Sequence, residues 1–239
     1  MHKALLLLAA LLAGCGGGDA PVRTVQAAAP QTVVALGDSI TRRTGICPAG
    51  ESLAECIERD HIASATSYAT HLAAASGWSI TLLDNQGRGG DTCTDQPAWA
   101  SGPHAGQARG IAARLDAVIA QRPTTVLLLA GINDALVWGV PVAEVVACVA
   151  GVREQLQAQR VRVVVLTYPP IDPATPVFTS ADRLARLAAL NAGLRGIGAI
   201  GPAYWPDWAA PHLTTDGTHP SAGGAVWMAS AITRAMGVP

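Results

Sequence analysis

The chain has 239 residues, half of them hydrophobic and 14% charged, and its formal net charge is −1. That hydrophobic share excludes a disordered chain, which needs low hydrophobicity and high net charge. The near-neutral balance removes any electrostatic case for binding nucleic acid or an anionic membrane surface.

In chain order, His2 and Lys3 precede an apolar run over residues 4–13, followed by Gly14-Cys15. Ten apolar residues are too few to span a bilayer as a helix, but they suit the apolar region of a signal peptide. Leu12-Ala13-Gly14-Cys15 resembles a bacterial lipobox, in which Cys15 becomes the lipidated first residue of the mature protein. An ordinary secretory signal is the plainer alternative. Residues 1–14 are expected as signal peptide and residues 15–31, rich in Gly, Ala and Pro, as a flexible tether. Residues 32–239 are long enough for a single domain with its own core. The protein is then exported: anchored to the bacterial envelope by a lipid on Cys15, or otherwise periplasmic or secreted.

Four cysteines follow Cys15, at positions 47, 56, 93 and 148. An even number in an exported chain permits two disulfides. Cys47 and Cys56 enclose a short Pro/Gly-containing segment and are natural partners, which leaves Cys93 with Cys148. A zinc site would want C-x-x-C spacing or paired His, and neither is present. Buried free thiols are the remaining alternative.

Four apolar, β-branched runs, at residues 32–36, 78–83, 124–129 and 161–167, predict strands buried on both faces, the condition of a parallel sheet. A weaker fifth strand is expected around residues 198–203. Between the runs, helices are predicted over 61–76, 107–120, 142–159, 181–194 and 221–236. Strand and helix in alternation predict a three-layer α/β/α, doubly wound domain with a parallel sheet of about five strands. Such sheets bind ligands at the carboxyl ends of their strands.

Polar motifs fall at those ends. The first strand runs into Gly37-Asp38-Ser39-Ile40, which presents a hydroxyl but is not a G-x-S-x-G elbow, since Thr41 stands where the second Gly would be. Asp-Ser after a strand is also a common helix cap. The second strand leads to Asn85-Gln86-Gly87-Arg88-Gly89-Gly90-Asp91, whose glycines let backbone N–H groups approach an anion. The third ends in Gly131-Ile132-Asn133-Asp134, where Asn133 offers an amide donor or an Asx-turn. Near the end, Asp216-Gly217-Thr218-His219-Pro220 places a carboxylate three residues before an imidazole, the base and orienter of a nucleophilic triad. His212 is a rival base but has no carboxylate at such short spacing before it.

In this order the four motifs resemble those of the SGNH hydrolases, also called the GDSL esterase/lipase family, with Ile40 in place of the usual Leu. The resemblance implies the family's flavodoxin-like fold and a serine esterase with Ser39 as nucleophile, His219 as base and Asp216 as its partner. It assigns the oxyanion hole to Ser39, Gly90 and Asn133, with no metal and no organic cofactor. The substrates it implies are acetyl or short acyl esters, of small molecules, glycans or lipids, handled by a monomer by default. An acyltransferase using the same triad and a non-catalytic, glycan-binding surface lipoprotein are the alternatives. Two stretches depart from the family pattern: an insertion after Ser39 that carries Arg42, Arg43 and the Cys47/Cys56 pair, and residues 94–106, rich in Pro, Gly and Trp. Trp138, close behind the third motif, is a candidate for substrate binding, ahead of Trp99, Trp205 and Trp208.

Overall fold

The computed structural model describes residues 30–42, 67–101, 104–174, 180–200, 208 and 210–238. Cys15 with the expected signal peptide, the Cys47–Cys56 pairing, and Trp205 lie outside the described residues.

Four parallel strands form the sheet among the described residues: β1 (Gln31–Gly37), β2 (Ile80–Gly87), β3 (Thr125–Leu129) and β4 (Arg162–Val165), in the order β2-β1-β3-β4. Their apolar runs are fully enclosed, with no exposed surface from Val33 to Leu36 or from Val126 to Leu129. Strands that lack a polar face need cover on both sides, and the helices supply it. β1 connects to β2 through α2 (Tyr68–Ala75), while β2 to β3 and β3 to β4 run through α3 (Leu115–Ala120) and α5 (Val142–Ala158). Because the two sets of connections run in opposite directions across the sheet, right-handed crossovers put them on opposite faces. Helix packing agrees with this. α2 lies against α8 (Ala222–Ala235), and α5 against α6 (Ala181–Gly196). Ser67, Ser180 and Ser221 cap α2, α6 and α8 by accepting from backbone N–H groups in the first turn.

Three short helices complete the order among the described residues: α1 (Ser39–Arg42), α4 (Ile132–Leu136) and α7 (Ala210–Leu213), while α3 is entered through a 3-10 turn, Ile111–Arg114. The described residues hold four strands, and the expected fifth, around residues 198–203, runs on into residues 201–203, outside the described ones. Of its described residues, Ile200 pairs with Leu166 just past β4, donating its N–H to the Val165 carbonyl at 2.8 Å and accepting from the Thr167 N–H at 3.1 Å. Gly198 takes a left-handed φ of +86°, which breaks the extended run just before this contact. β2 also runs to Gly87, beyond its expected end, after a register shift at Val33/Val34. The Cys93–Cys148 disulfide is present, with a Cα–Cα distance of 6.0 Å, and joins the segment after β2 to α5. No helix among the described residues is long and apolar enough to cross a membrane.

Register decides where the motifs go. Gly37 is level with Gly87 on one side and Leu129 on the other. Three motif-bearing turns therefore leave the sheet side by side at its carboxyl edge.

Candidate active site

The turn after β1 is tight. A Cβ at Gly37 would overlap the Thr41 side chain and the Leu129 carbonyl, so only glycine lets β1 reverse into α1 here. Ser39 opens α1 and is almost fully buried. Beside it, the buried Asp38 carboxylate accepts from the Ile40 N–H at 2.9 Å and from the Tyr168 hydroxyl at 2.6 Å. Burial pushes the Asp38 carboxyl up to about 6, against the opposing pull of these two hydrogen bonds. The Tyr168 oxygen in turn accepts from the Ile132 N–H at 3.2 Å. One phenol thus ties the turn carrying Ser39 to the turn carrying Asn133.

After β2 the chain makes a glycine turn. Gly90 has φ +69°, and its N–H donates to no group among the described residues. Asp91 is buried; its carboxylate accepts from the Thr92 N–H (3.0 Å) and the Gly110 N–H (2.9 Å) and pairs with Arg114 at 2.5 Å. The Arg114 guanidinium also donates to the carbonyls of Gln86 and Gly37, so it gathers the ends of β1 and β2 and the glycine turn around one cation. Burial lowers the Arg114 guanidinium to about 10, against the pull of Asp91, and it remains a cation at neutral pH.

In the third motif, Asn133 Nδ2 donates to the Asp91 carbonyl at 2.8 Å, which leaves that amide a second N–H. Asp134 holds the next residues of the same segment. It accepts from the N–H groups of Cys93 and Thr94, each at 2.8 Å, and from the Thr94 hydroxyl at 2.6 Å.

The fourth motif forms a closed turn, with Thr214 bridged to Pro220 and the Thr215 N–H donating to the His219 carbonyl. Asp216 accepts from the backbone N–H groups of Thr218 and His219 and meets His219 Nδ1 at 2.6 Å. Burial raises its carboxyl, but the hydrogen bond and charge of His219, with the backbone donors, outweigh that and hold it at about 2. On its other side His219 Nε2 lies 3.0 Å from Ser39 Oγ, across 180 residues of sequence. An ionised Asp216 favours the proton on Nδ1, so Nε2 is left to accept from the Ser39 hydroxyl. The rival His212 is exposed on α7.

The structure joins Ser39 to His219 and Asp216, and joins Asn133 to the glycine turn that carries Gly90. Among the described residues no group of three or more His, Cys, Asp or Glu side chains gathers in a way that could hold a metal ion. Of the tryptophans, Trp208 is core: it is buried, donates to the Pro170 carbonyl and packs edge-on against Trp227. Trp138 is 40% exposed just beyond α4, with the Arg109 guanidinium 5.4 Å from its ring centre. Arg114, Tyr168 and Arg109 were not singled out by sequence reasoning. Arg114 does carry a signal, since it interrupts the apolar helical face of Ile111, Leu115 and Val118 with a charge. A charge at such a position is retained only with partners.

The family model for GDSL-like lipase/acylhydrolases matches residues 35–226. The chain belongs to that family. Its members are serine ester hydrolases, and so is this protein. Solved structures share the fold of this GDSL-like hydrolase. LAE5, an alpha/beta hydrolase enzyme from the metagenome of Lake Arreo in Spain, is 22% identical with a TM-score of 0.60, over 88% of this chain and 97% of its own. Est24, a carbohydrate acetylesterase from Sinorhizobium meliloti, is 16% identical with a TM-score of 0.62, over 87% and 98%. An aryl esterase from M. smegmatis, solved with an inhibitor, is 13% identical with a TM-score of 0.61, over 87% and 100%. No curated protein matches the sequence significantly.

Proposed function

We propose that Ser39 is the nucleophile, His219 the general base and Asp216 its orienting carboxylate in the hydrolysis of acetyl or short acyl esters. The observation that carries this reading is the unbroken line from Ser39 Oγ to His219 Nε2 at 3.0 Å and from Nδ1 to Asp216 at 2.6 Å. His219 takes the hydroxyl proton as Ser39 attacks the ester carbonyl, and Asp216, held ionised, stabilises the imidazolium that results. Negative charge develops on the carbonyl oxygen. The N–H groups of Ser39 and Gly90 and the second amide hydrogen of Asn133 are the donors for it. The imidazolium then protonates the departing alcohol. Water, activated by the same His219, releases the acid from the acyl-enzyme and restores the Ser39 hydroxyl.

The proposed substrate range rests on two supports. Structures of this fold include a carbohydrate acetylesterase and an aryl esterase. Trp138, at the edge of the Asn133 turn, offers a ring face to a sugar or an aryl group. Export, with lipidation of Cys15, belongs to the same proposal. It is supported by the leader-like residues 1–14 and by the Cys93–Cys148 disulfide, a bond at home in an oxidising compartment.

Ser39→Ala is the direct test. It is expected to lower kcat for p-nitrophenyl acetate about 10⁶-fold and to abolish labelling by a fluorophosphonate. Labelling that persists on another residue would overturn the assignment.

A further inference from the structure

The segment from Thr94 to Arg109 takes in residues 94–106, one of the two departures from the family pattern, and is fixed at both ends against the glycine turn. At the start, Thr94 is held by Asp134, and the neighbouring Cys93 is joined to Cys148. At the far end, Arg109 bridges back to Gln96, and Gly110 donates to Asp91. Between them the Trp99 N–H donates to the Gln107 carbonyl, and the Gly106 N–H to the Trp99 carbonyl.

The side chains of this segment converge on Gly90. Arg109 donates from Nη1 to the Gly90 carbonyl at 2.7 Å and from Nε to the Pro97 carbonyl at 3.1 Å. Its guanidinium lies 3.6 Å over the Trp99 ring, with Trp138 on hand at 5.4 Å. The Trp99 ring in turn rests on Gly90, where an added Cβ would stand 3.4 Å from its edge. Among the described residues Arg109 forms no ion pair.

A glycine at positive φ has no side chain to restrict it, so its N–H keeps one direction only if the surrounding groups enforce it. The Asp91 N–H bond to the Arg88 carbonyl closes the turn from below. The Gly90 carbonyl is the remaining handle, and Arg109 holds it. A guanidinium is suited to this, because its rigid fork serves two carbonyls in a fixed geometry while its flat face stacks on an indole; an ammonium has neither the planar fork nor the flat face.

We infer that Arg109 is a positioning residue for the oxyanion hole: by gripping the Gly90 carbonyl from the Trp99 platform, it aims the Gly90 N–H at the developing oxyanion. The inference rests on the proposed triad and oxyanion hole. It gives Trp99 and Arg109 a shared task, which is to brace a donor carried by the sheet edge. Removing an oxyanion donor outright costs about 10²–10³ in rate, so loosening one should cost a part of that.

The test compares Arg109→Met and Arg109→Lys with the parent, using p-nitrophenyl acetate and a fluorophosphonate. Arg109→Met is expected to lower kcat about tenfold or more. KM should stay within about twofold, and the phosphonate labelling rate should fall in step with kcat. Arg109→Lys keeps the charge and loses the fork, so it should recover only a minor part of the loss. A kcat within about fivefold of the parent, a loss confined to KM, or full recovery with Lys would each overturn the inference. The last of these would assign the effect to charge alone. Should Arg109→Met fail to fold, Arg109→Lys is read by the same limits on kcat and KM. Ser39→Ala separates the two levels of the argument. If it stays active, the triad reading fails; if it is inactive while Arg109→Met matches the parent, only the positioning role fails.

Discussion

The two walls of the proposed site, one offered for the base and one for the oxyanion, are built in opposite ways. The base wall is local: Asp216 and His219 are three residues apart, in a turn closed by its own backbone, with their side chains 34% and 19% exposed. The oxyanion wall is assembled from distant parts. Asp38 meets Tyr168 across 130 residues, Cys93 meets Asp134 across 41 and Asp91 meets Arg114 across 23, all of them buried. A base needs only one free nitrogen held in one orientation, and a short turn can supply that. Donors that must converge on a single oxygen have to be held from several directions, and buried charge and phenol do the holding. The base wall should therefore be chemically fragile and structurally tolerant, whereas the oxyanion wall should lose stability and activity together.

The sharpest probe of that contrast is Asp216→Asn. With the carboxylate gone, the Nδ1 proton loses its acceptor charge, and kcat should fall about 10⁴-fold. The side-chain oxygen of Asn still accepts from the Thr218 and His219 N–H groups, so only the contribution of the charge is lost and the melting temperature should fall less than in Arg114→Met. A large drop in melting temperature would break the comparison from the base side. Arg114→Met probes the other wall. It leaves the Asp91 carboxylate buried without its cation and strips donors from Gly37 and Gln86. The cost should be about 3–5 kcal/mol of unfolding free energy, measured by urea denaturation, with activity falling alongside it. If Arg114→Met unfolds at the parent's midpoint, the oxyanion wall does not depend on buried charge as argued.

The same division explains what could be read in the sequence. Asp216 and His219 are legible because their partnership lies within one stretch of chain. The parallel sheet is legible too, since runs such as 124–129 carry no polar face. Gly90 and Asn133 could be placed only through the resemblance of their motifs, because nothing in their neighbours shows that Asn133 reaches the Asp91 carbonyl. Tyr168 is less legible still. It follows the fourth apolar run like any core aromatic, and its bond to Asp38 exists only once two strand ends lie side by side. The expected fifth strand is only partly visible: Ile200 pairs with Leu166 after the left-handed Gly198, and residues 201–203 lie outside the described residues.

The smallest effect, and the finest test of the contrast, is in the pH dependence of stability. Asp38 and Asp216 flank the same serine and histidine, yet their environments move them in opposite directions from the ordinary value of 3.8. Burial raises Asp38 to about 6, so the folded protein binds its proton more readily than the unfolded chain does. Its stabilising contribution is therefore full below about pH 4 and is lost as the pH rises through about 6. Asp216, held at about 2 by His219 and the backbone donors, contributes above about pH 4 and loses that contribution as the pH falls towards 2. Measured by urea denaturation, the stability of the parent minus that of Asp38→Asn should decline between pH 4 and 6, by at most about 1.4 kcal/mol per pH unit for one proton. The corresponding difference for Asp216→Asn should be flat over that range and change only below it. Parallel curves for the parent and Asp38→Asn would mean that water reaches Asp38. The Tyr168 tie would then lose the buried setting that lets one hydrogen bond hold two turns in register.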